Sequence, residues 1–344
     1  MRIAFDSSPL VRPYPPGVVR ACRGLMEALN ELADVQLVPL APSPGENERW
    51  WRHFLLPEQI QRAQVIGLHS PISAFPTRGP GRRVSTVHEL PWRNNCKENA
   101  GVQHRFWARF GVGRADGVVC PTEFVRQQLI EESGNGLHVH ACPWGVDQKI
   151  AHAPEEPPKG PRRLIEEETP FCLVIGGTRP KKNLRRCFEA LASLHERARD
   201  KGLHLVVTGA ETESLLEDLR VARGLGIGQL VHWVGHVSES ELGALTEAAG
   251  FTCVMSHSEG FGFPVLESYV RGTPVLVSRA SAQAEIAGEH AILASSHDSE
   301  SIAAGMQAAM SFNLTRQPQL REHAARYSWQ RCAQQVRELW GTWS

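Results

Sequence analysis

Short apolar runs alternate with amphipathic helical patterns along almost the whole chain. This alternation is typical of buried parallel strands that are joined by crossover helices. In the first half, strands are predicted in MRIAFDSS, VQLVPLA, QVIGLHS, RRVSTVHEL, GVVCPT and LHVHACPWGVD, with helices near 18–32, 98–110 and 123–133. In the second half, strands are predicted in PFCLVIGG, LHLVVTGA, LVHWVGH, FTCVMSHS and TPVLVSR. The pattern therefore predicts an α/β protein with parallel sheets.

The chain of 344 residues is longer than a single hydrophobic core usually organises, so two domains are expected. Residues 152–170 read HAPEEPPKGPRRLIEEETP, which is rich in proline and charge and is typical of a linker. We predict a Rossmann-like domain over 1–151, a linker over 152–168 and a second Rossmann-like domain over 169–325. A helix over 326–344 is expected to cross between the domains, with packing on the first domain as one arrangement. Doubly wound sheets bind ligands beyond the carboxyl ends of their strands.

Composition excludes some classes of partner. The chain has 37 basic and 37 acidic residues, so no overall field attracts nucleic acid or an anionic membrane, and any anionic partner must bind a local site. Eight cysteines without a CxxC pair, mostly in apolar runs, favour buried free thiols over disulfides or metal ligands. The first residues lack a basic segment followed by a long apolar one, and no apolar run is long enough to span a membrane. A cytoplasmic protein is the expectation.

The stretch SHSEGFGFPVLE places two carboxylates, Glu259 and Glu267, around two glycines. Pro264 suits the first turn of a helix, so Glu259 is expected in a loop and Glu267 on that helix. Glycines permit close approach of the backbone to a ligand, and a helix start attracts phosphate. Carboxylates accept hydrogen bonds from vicinal diols, which a nucleotide sugar carries on both sides of its diphosphate. The alternative is a solvated loop acid and a glutamate that complements the helix dipole.

The longer stretch EGFGFPVLESYVRGTPVLVS resembles the hallmark of the retaining glycosyltransferases of family 4, also called group 1. In that family two glutamates are separated by seven residues within EGFG-x-P-x-x-E, and G-x-P-V follows. The resemblance extends over about residues 1–340 through VIGGTRPKKNLRRCFEAL, LHLVVTGA, VHWVGHVSESELGALTEAA, TVHELPW, ADGVVCPTEFVRQQL and CPWGVD. It implies the GT-B fold, in which two Rossmann-like domains face each other.

The resemblance assigns a role to each part of this motif. Glu259 is expected to hold hydroxyls of the donor sugar, and Glu267 the ribose. The intervening amide groups are expected to face the sugar and the diphosphate; they belong to Gly260, Phe261, Gly262 and Phe263.

A basic turn follows the predicted strand PFCLVIGG. Departure of a diphosphate requires cations or helix dipoles near the leaving oxygen. The sequence has no acidic DxD metal motif, so we expect no metal and no other cofactor. By resemblance Lys182 matches the family's lysine, and Arg179 replaces the family's arginine, whose position falls near Gly177 or Thr178. The alternative is a solvated turn.

Four residues of the first half are predicted in the site, His88 as a catalytic candidate and Gly17, Arg20 and Glu89 on the acceptor side. His88 matches a family histidine near the transferred sugar, although a structural histidine is the alternative. Glu89 stands where the family has an aspartate. Gly17 takes the place of a glycine-rich loop after the first strand, and Arg20 faces either the cleft or solvent. The catalytic candidates are thus His88, Lys182 and Glu259, and retention by front-face attack needs no enzymatic nucleophile.

The segment ENERWWRHFLLPEQIQRAQ mixes Trp50, Trp51 and Phe54 with basic residues. One interpretation is an amphipathic segment that touches a lipid-linked acceptor or the inner face of a membrane. The other, which we favour, is an ordinary helix packed on the first domain.

Together these features predict a retaining, metal-independent glycosyltransferase. Its partners are expected to be a nucleotide-diphosphate sugar and an acceptor that is a glycan, a lipid-linked saccharide or a small molecule. Two alternatives stay open: a nucleotide-sugar epimerase of the same architecture, and a non-catalytic protein that binds nucleotide sugars. No sequence motif of fixed spacing indicates the donor base, the sugar, the acceptor or the oligomeric state.

Overall fold

The computed structural model describes residues 1–134, 136–147, 159–197 and 202–342. They form two compact units. Unit 1 comprises Met1–Gly145 and Tyr327–Ser344, and unit 2 comprises Val146–Arg326. Each unit contains a six-stranded sheet in which all strand pairs are parallel. Among the described residues, no helix combines the length and the apolar character needed to cross a membrane.

The sheet of unit 1 has the strand order β2-β1-β3-β4-β5-β6. Its strands are β1 (Arg2–Asp6), β2 (Gln36–Leu40), β3 (Gly67–Ser70), β4 (Arg82–Thr86), β5 (Gly117–Cys120) and β6 (Val139–Ala141). Its helices are α1 (Ser8–Val11), α2 (Pro16–Asn30), α3 (Glu48–Trp50), α4 (Leu56–Ala63), α5 (Val102–Phe106) and α6 (Glu123–Ser133). Strands β3 and β5 are buried along their whole length because helices cover both faces of a parallel sheet.

The sheet of unit 2 has the order β12-β11-β10-β7-β8-β9. Its strands are β7 (Phe171–Val174), β8 (His204–Val207), β9 (Val231–Trp233), β10 (Phe251–Val254), β11 (Val275–Ser278) and β12 (Ile292–Ala294). The helices are α7 (Lys159–Glu166), α8 (Leu184–Arg197), α9 (Glu213–Gly224), α10 (Glu239–Ala248), α11 (Phe263–Arg271), α12 (Ala282–Ala287), α13 (Ser299–Met310) and α14 (Gln317–Ala325). The direction of strand succession reverses between β7 and β10, and ligands of doubly wound sheets bind beside such a reversal.

The last helix, α15 (Trp329–Gly341), belongs to unit 1 and packs on α2. Gly24 permits this close approach, since a Cβ atom there would lie 2.3 Å from the Trp329 ring. Trp340 is buried, and Arg337 Nε donates a hydrogen bond of 2.8 Å to Asp34 Oδ2.

Each of the eleven predicted strand segments contains a strand, and the sequence analysis missed β12. This edge strand has only three residues, of which Ala294 alone is buried, so its apolar signal is weak. The helix predicted near 98–110 is shorter: α5 covers Val102–Phe106 and continues as a π-helical turn over Trp107–Gly111.

The second part of the predicted linker forms a helix in the structure. Residues 152–158 lie outside the described residues. The helix α7 follows, and its Leu164 is buried against the apolar cluster that contains Phe171 and Leu245. Ile165 packs on the same cluster, and the charged residues around this pair obscure the apolar signal in the sequence. All eight cysteines are buried and free, as predicted.

The segment with two adjacent tryptophans is divided between core and surface. Trp51 is fully buried in an apolar cluster with Leu56 and Ile60, whereas Trp50 is 51% exposed. Arg52 is also buried and forms an ion pair of 3.2 Å with Asp6 at the end of β1. The favoured interpretation, a segment packed on the first domain, thus holds for Trp51 and not for Trp50.

We predict that Trp51→Ala lowers the free energy of unfolding by about 3–5 kcal/mol, because it leaves a large cavity. Its neighbour provides a matched control: Trp50→Ala is expected to change that free energy by less than about 0.5 kcal/mol. Urea unfolding followed by circular dichroism measures both. Equal effects of the two variants would show that Trp51 is not the residue that packs.

Candidate donor site

The loop with the two glutamates joins β10 to α11. Glu259 lies in this loop and Glu267 lies on α11, as predicted, with Pro264 in the first turn. Gly262 has φ 100°, a left-handed conformation that favours glycine. A Cβ atom there would also lie 3.0 Å from Gln283 Cγ. The loop therefore requires glycine at 262 for two independent reasons.

The predicted basic turn follows β7 as a 3-10 turn over Pro180–Lys182. The Lys181 carbonyl accepts a hydrogen bond of 2.9 Å from the backbone amide of His257, just after β10. Next in the chain, Asn183 has φ 61° and is buried. Its Nδ2 donates to the Met255 carbonyl at 3.1 Å and to the Ser296 carbonyl at 2.7 Å. These bonds connect the basic turn to the segments that follow β10 and β12.

Glu259 lies between the two lysines of this turn. Lys182 Nζ is 2.7 Å from its Oε1, and Lys181 Nζ is 3.6 Å from its Oε2. All three side chains are largely buried, with Glu259 16% exposed. The interpretation of the turn as merely solvated is therefore wrong for both lysines, because their charges meet a carboxylate in the interior.

Burial acts to raise the pKa of the Glu259 carboxyl. The charges of Lys182 and Lys181 outweigh this effect, Arg179 contributes in the same direction, and the pKa is lowered to about 2. Glu259 is thus a carboxylate at neutral pH. Three cationic side chains thus act on the Glu259 carboxylate, and positive charge of this kind can also attract an anion such as phosphate.

Gly177 and Thr178 are buried in the turn between β7 and the basic residues. Gly177 N donates to the Thr208 carbonyl at 3.1 Å, and a Cβ atom on Gly177 would lie 2.8 Å from Val174 Cγ1. The Thr178 carbonyl accepts from Thr212 Oγ1 at 2.7 Å. Both residues therefore hold the turn in place, and a direct contact with the donor stays a prediction for them.

The remaining residues of the motif lie near the start of α11. The rings of Phe261 and Phe263 form an edge-to-face pair with centroids 5.1 Å apart, and Phe261 is buried. Glu267 is half-buried one turn further along, where its carbonyl accepts a hydrogen bond of 3.2 Å from Arg271 Nη1. These contacts keep the glycine loop and the helix start together.

The catalytic candidate His88 and the acceptor-side candidates belong to unit 1. His88 Nε2 donates a hydrogen bond of 2.7 Å to the Pro71 carbonyl, and its ring lies 5.8 Å from Trp144. Burial lowers the pKa of His88 to about 4, although the Pro71 carbonyl opposes this shift. His88 is therefore neutral at pH 7, with its proton on Nε2 and its lone pair on Nδ1. Glu89 Oε1 accepts from Asn99 Nδ2 at 3.2 Å.

The prediction that Gly17 lies in a loop is wrong. Helix α2 begins at Pro16, so Gly17 is in its first turn, where it is exposed. Pro15 and Pro16 explain the difference, because proline is well suited to a helix start and brings that start forward. Arg20 lies one turn further along α2 and is half-buried.

One residue that contacts the loop was not predicted from the sequence. Gln283 on α12 is fully buried against Gly262. Its Oε1 and Nε2 have no hydrogen-bond partner among the described residues. Gln283 is not part of a motif with fixed spacing. Its only signal in the sequence is that one amide side chain stands among the small and apolar residues of SAQAEIA.

Two family models match the chain. Residues 158–329 match the model described as glycosyl transferases group 1, and residues 14–149 match glycosyltransferase family 4. The chain is 30% identical over 223 residues to an MMP alpha-(1->4)-mannosyltransferase of Mycolicibacterium hassiacum, covering 60% of this chain and 50% of that protein. It is 28% identical over 300 residues to O-antigen chain mannosyltransferase B of Escherichia coli, covering 83% and 71%. The chain spans about half the length of the first curated relatives it matches.

Solved structures show the same fold. Sucrose-phosphate synthase from Thermosynechococcus elongatus superposes with a TM-score of 0.78 at 16% identity, covering 99% of this chain and 98% of that one. Anabaena Alr3699/HepE in complex with UDP-glucose gives 0.74 at 15% identity, covering 99% and 100%. The predicted GT-B fold is thereby confirmed. With both halves of the chain matched by family models, this protein belongs to the glycosyl transferases of group 1.

Proposed function

We propose that this protein transfers a glycosyl group from a nucleotide-diphosphate sugar to a hydroxyl group of a glycan, a lipid-linked saccharide or a small molecule. The transfer retains the anomeric configuration and needs no metal ion. The observation that carries this proposal is the buried cluster in which Lys181 and Lys182 hold Glu259 beside the glycine loop. Its cationic side chains suit a diphosphate, and its carboxylate suits the hydroxyl groups of a sugar.

The leaving group determines what the cluster has to do. The bond between the anomeric carbon and the diphosphate oxygen breaks, and negative charge grows on that oxygen. Lys182 and Arg179 stabilise this charge, and preorganised cations in a partly buried site are effective because they need not reorient. Glu259 accepts hydrogen bonds from hydroxyls of the sugar, and Glu267 from the ribose. The amide groups over Gly260–Phe263 face the diphosphate.

The acceptor attacks from the face that the diphosphate leaves. Its oxygen bonds to the anomeric carbon, and its proton passes to an oxygen of the departing phosphate, so the step needs no enzymatic nucleophile. His88 is neutral, and its Nδ1 can accept a hydrogen bond from a hydroxyl of the bound sugar. The UDP-glucose complex of the structurally similar Anabaena Alr3699/HepE supports a nucleotide sugar as donor.

The geometry favours transfer over epimerisation. An epimerase needs a base that removes a proton or an acid that supplies one. Glu259, with a pKa lowered to about 2, is a weak base and carries no proton at neutral pH. Its ion pairs instead suit a group that binds without exchanging protons. Family membership points to the same conclusion.

We predict that a screen of nucleotide-diphosphate sugars finds a donor that raises the melting temperature of the protein, since a ligand that binds only the folded state stabilises it. With that donor, Lys182→Met is expected to lower kcat by about 100-fold or more, because a charge that stabilises the leaving group is lost. The exposed Arg220→Met on α9 is the matched control and is expected to retain wild-type kcat.

The outcome for Glu259 completes this test. Glu259→Ala is expected to abolish transfer. If the variant transferred sugar as well as wild type, or if no nucleotide sugar bound to wild type, the proposed function would be abandoned. Binding without turnover across a panel of acceptors would identify a non-catalytic protein.

We predict that the product has the same anomeric configuration as the donor and that excess EDTA leaves the initial rate unchanged. The first expectation follows from attack on the face that the diphosphate leaves. The second follows from the cationic cluster that neutralises the diphosphate. Proton NMR of the anomeric region reads the configuration as the product forms. An inverted product would contradict retention, and a rate restored only by added divalent cation would contradict metal independence.

A further inference from the structure

Unit 1 exposes a group of large apolar side chains that the proposed transfer does not use. Each side chain is more than half exposed, and together they define the aromatic surface: Trp50, Phe54, Val102, Phe106 and Phe110. Scattered exposed apolar residues are normal in proteins, but a contiguous group marks an interaction site.

Ring contacts connect the two segments that supply this surface. The rings of Trp50 and Phe54 are 5.8 Å apart, and so are those of Phe106 and Phe110. Between the two pairs, the exposed His53 stacks on Trp107 at 6.3 Å. The segments are therefore neighbours, and the aromatic surface is one patch.

Both segments contain a π-helical turn, at Trp51–Leu55 and at Trp107–Gly111. Such turns are rare and are frequent at functional sites. In each case the first residue of the turn is a buried tryptophan of one apolar cluster. The aromatic surface thus rests on a packed base rather than on a mobile loop.

Positive charge predominates next to the aromatic surface, although Glu48 and the exposed Glu58 flank its first segment. Arg49, Arg105 and Arg109 are exposed, and residues 49–57 and 101–115 contain no aspartate or glutamate. The chain as a whole has equal numbers of acidic and basic residues, so this segregation is local. The partner that fits is therefore anionic and also accepts aromatic side chains.

We propose that the aromatic surface docks unit 1 on an anionic lipid bilayer. Aromatic rings settle at the level of lipid headgroups, and arginines there meet the negative surface potential. A second copy of the chain fits less well, because a symmetric contact would place the same arginines opposite one another. Docking of this kind presents a lipid-linked acceptor to the enzyme, but the inference does not depend on the proposed donor chemistry.

Co-sedimentation with vesicles tests this proposal. Wild type is expected to bind vesicles of phosphatidylglycerol and phosphatidylcholine at least 10-fold more strongly than phosphatidylcholine alone, and added salt is expected to weaken the binding. The combined change Arg49→Gln, Arg105→Gln and Arg109→Gln is expected to reduce binding by about 100-fold. The combined change Trp50→Ser, Phe54→Ser, Phe106→Ser and Phe110→Ser is expected to abolish it.

Unit 2 provides a matched control with four exposed apolar side chains of its own. The variant Leu216→Ser, Leu225→Ser, Met310→Ser and Leu314→Ser is expected to bind like wild type. Circular dichroism confirms that each variant is folded. Absence of vesicle binding, equal binding to both vesicles, or an equal loss in the control variant would overturn the proposal. So would light scattering that shows a wild-type dimer which the aromatic variant converts to monomer.

A second inference concerns Gln283, and it rests on the proposed function. Its side chain is fully buried, and neither amide atom has a hydrogen-bond partner among the described residues. At the end of β10, Ser256 Oγ is likewise buried without a partner within the described part of the chain. Buried polar groups without partners are costly and rare in folded proteins. Both of these flank the loop that the donor is proposed to occupy.

We infer that Gln283 is a positioning residue for the donor loop. Its Cγ lies 3.0 Å from the position of a Cβ on Gly262, so its amide adjoins the backbone of this loop. When the donor binds the amide groups around Gly262, the loop backbone moves toward the Gln283 side chain. The backbone and the side-chain amide then form hydrogen bonds with each other. Because the Gln283 amide gains these hydrogen bonds only when the donor is bound, it stabilises the donor-bound form.

The variant Gln283→Met keeps the shape of the side chain and removes its polar atoms. It is expected to leave the melting temperature of the free protein unchanged or higher, because no hydrogen bond is lost. It is also expected to raise the KM for the donor by about 10-fold with a smaller change in kcat. The contrast is Gln128→Met in unit 1, where Gln128 Nε2 donates to Asn94 Oδ1 at 2.9 Å. That variant is expected to lower the melting temperature and to leave the donor KM unchanged.

The results separate this inference from the proposed function. If wild type binds no nucleotide sugar, the proposed function fails. If wild type binds its donor and Gln283→Met has the same donor KM, only the inference fails. A lower melting temperature together with an unchanged KM would mean that Gln283 is satisfied by an internal water molecule, which also overturns the inference.

Discussion

The local structure at the carboxyl end of the unit 2 sheet depends on the ion pairs between Glu259 and the lysines of the basic turn. The turn follows β7 and the glutamate follows β10, the two strands between which the direction of succession reverses. The basic turn could not stay buried without the carboxylate, because isolated charges in the interior are costly. Asn183 adds two backbone contacts from the same turn. Charge and hydrogen bonds thus form one local framework.

In the proposed function, this framework orients the cations that bind the donor. Each lysine has a partner, so the cations are oriented before a diphosphate arrives and little reorganisation is needed. In the proposed function, a diphosphate shares these cations with Glu259, and the carboxylate then accepts hydrogen bonds from sugar hydroxyls. Arg179 fits the same scheme, since its charge already acts on the Glu259 carboxyl. Arg179 therefore acts on the cluster although the family's arginine position falls near Gly177 or Thr178.

The sequence was informative wherever local chemistry decides the structure. Buried strands are recognisable as apolar runs. The spacing of Glu259, Pro264 and Glu267 correctly predicted a loop, the start of a helix and the helix itself. Features that depend on tertiary contacts had no such signal. The burial of Lys181, the division between Trp50 and Trp51, and the contact of Gln283 with Gly262 arise from residues far apart in the chain. Gly17 shows a third case, in which two prolines moved a helix boundary.

The eight buried thiols have a practical consequence. Burial raises the pKa of cysteines in both units, among them Cys142 in unit 1 and Cys172 in unit 2, so the reactive thiolate is disfavoured. A maleimide dye can then label the chain only where the structure opens. Since Cys187 and Cys253 belong to unit 2, and Cys22 to unit 1, peptide mapping after a labelling pulse would report the opening of each unit separately. The native sequence thereby contains its own probes of local unfolding.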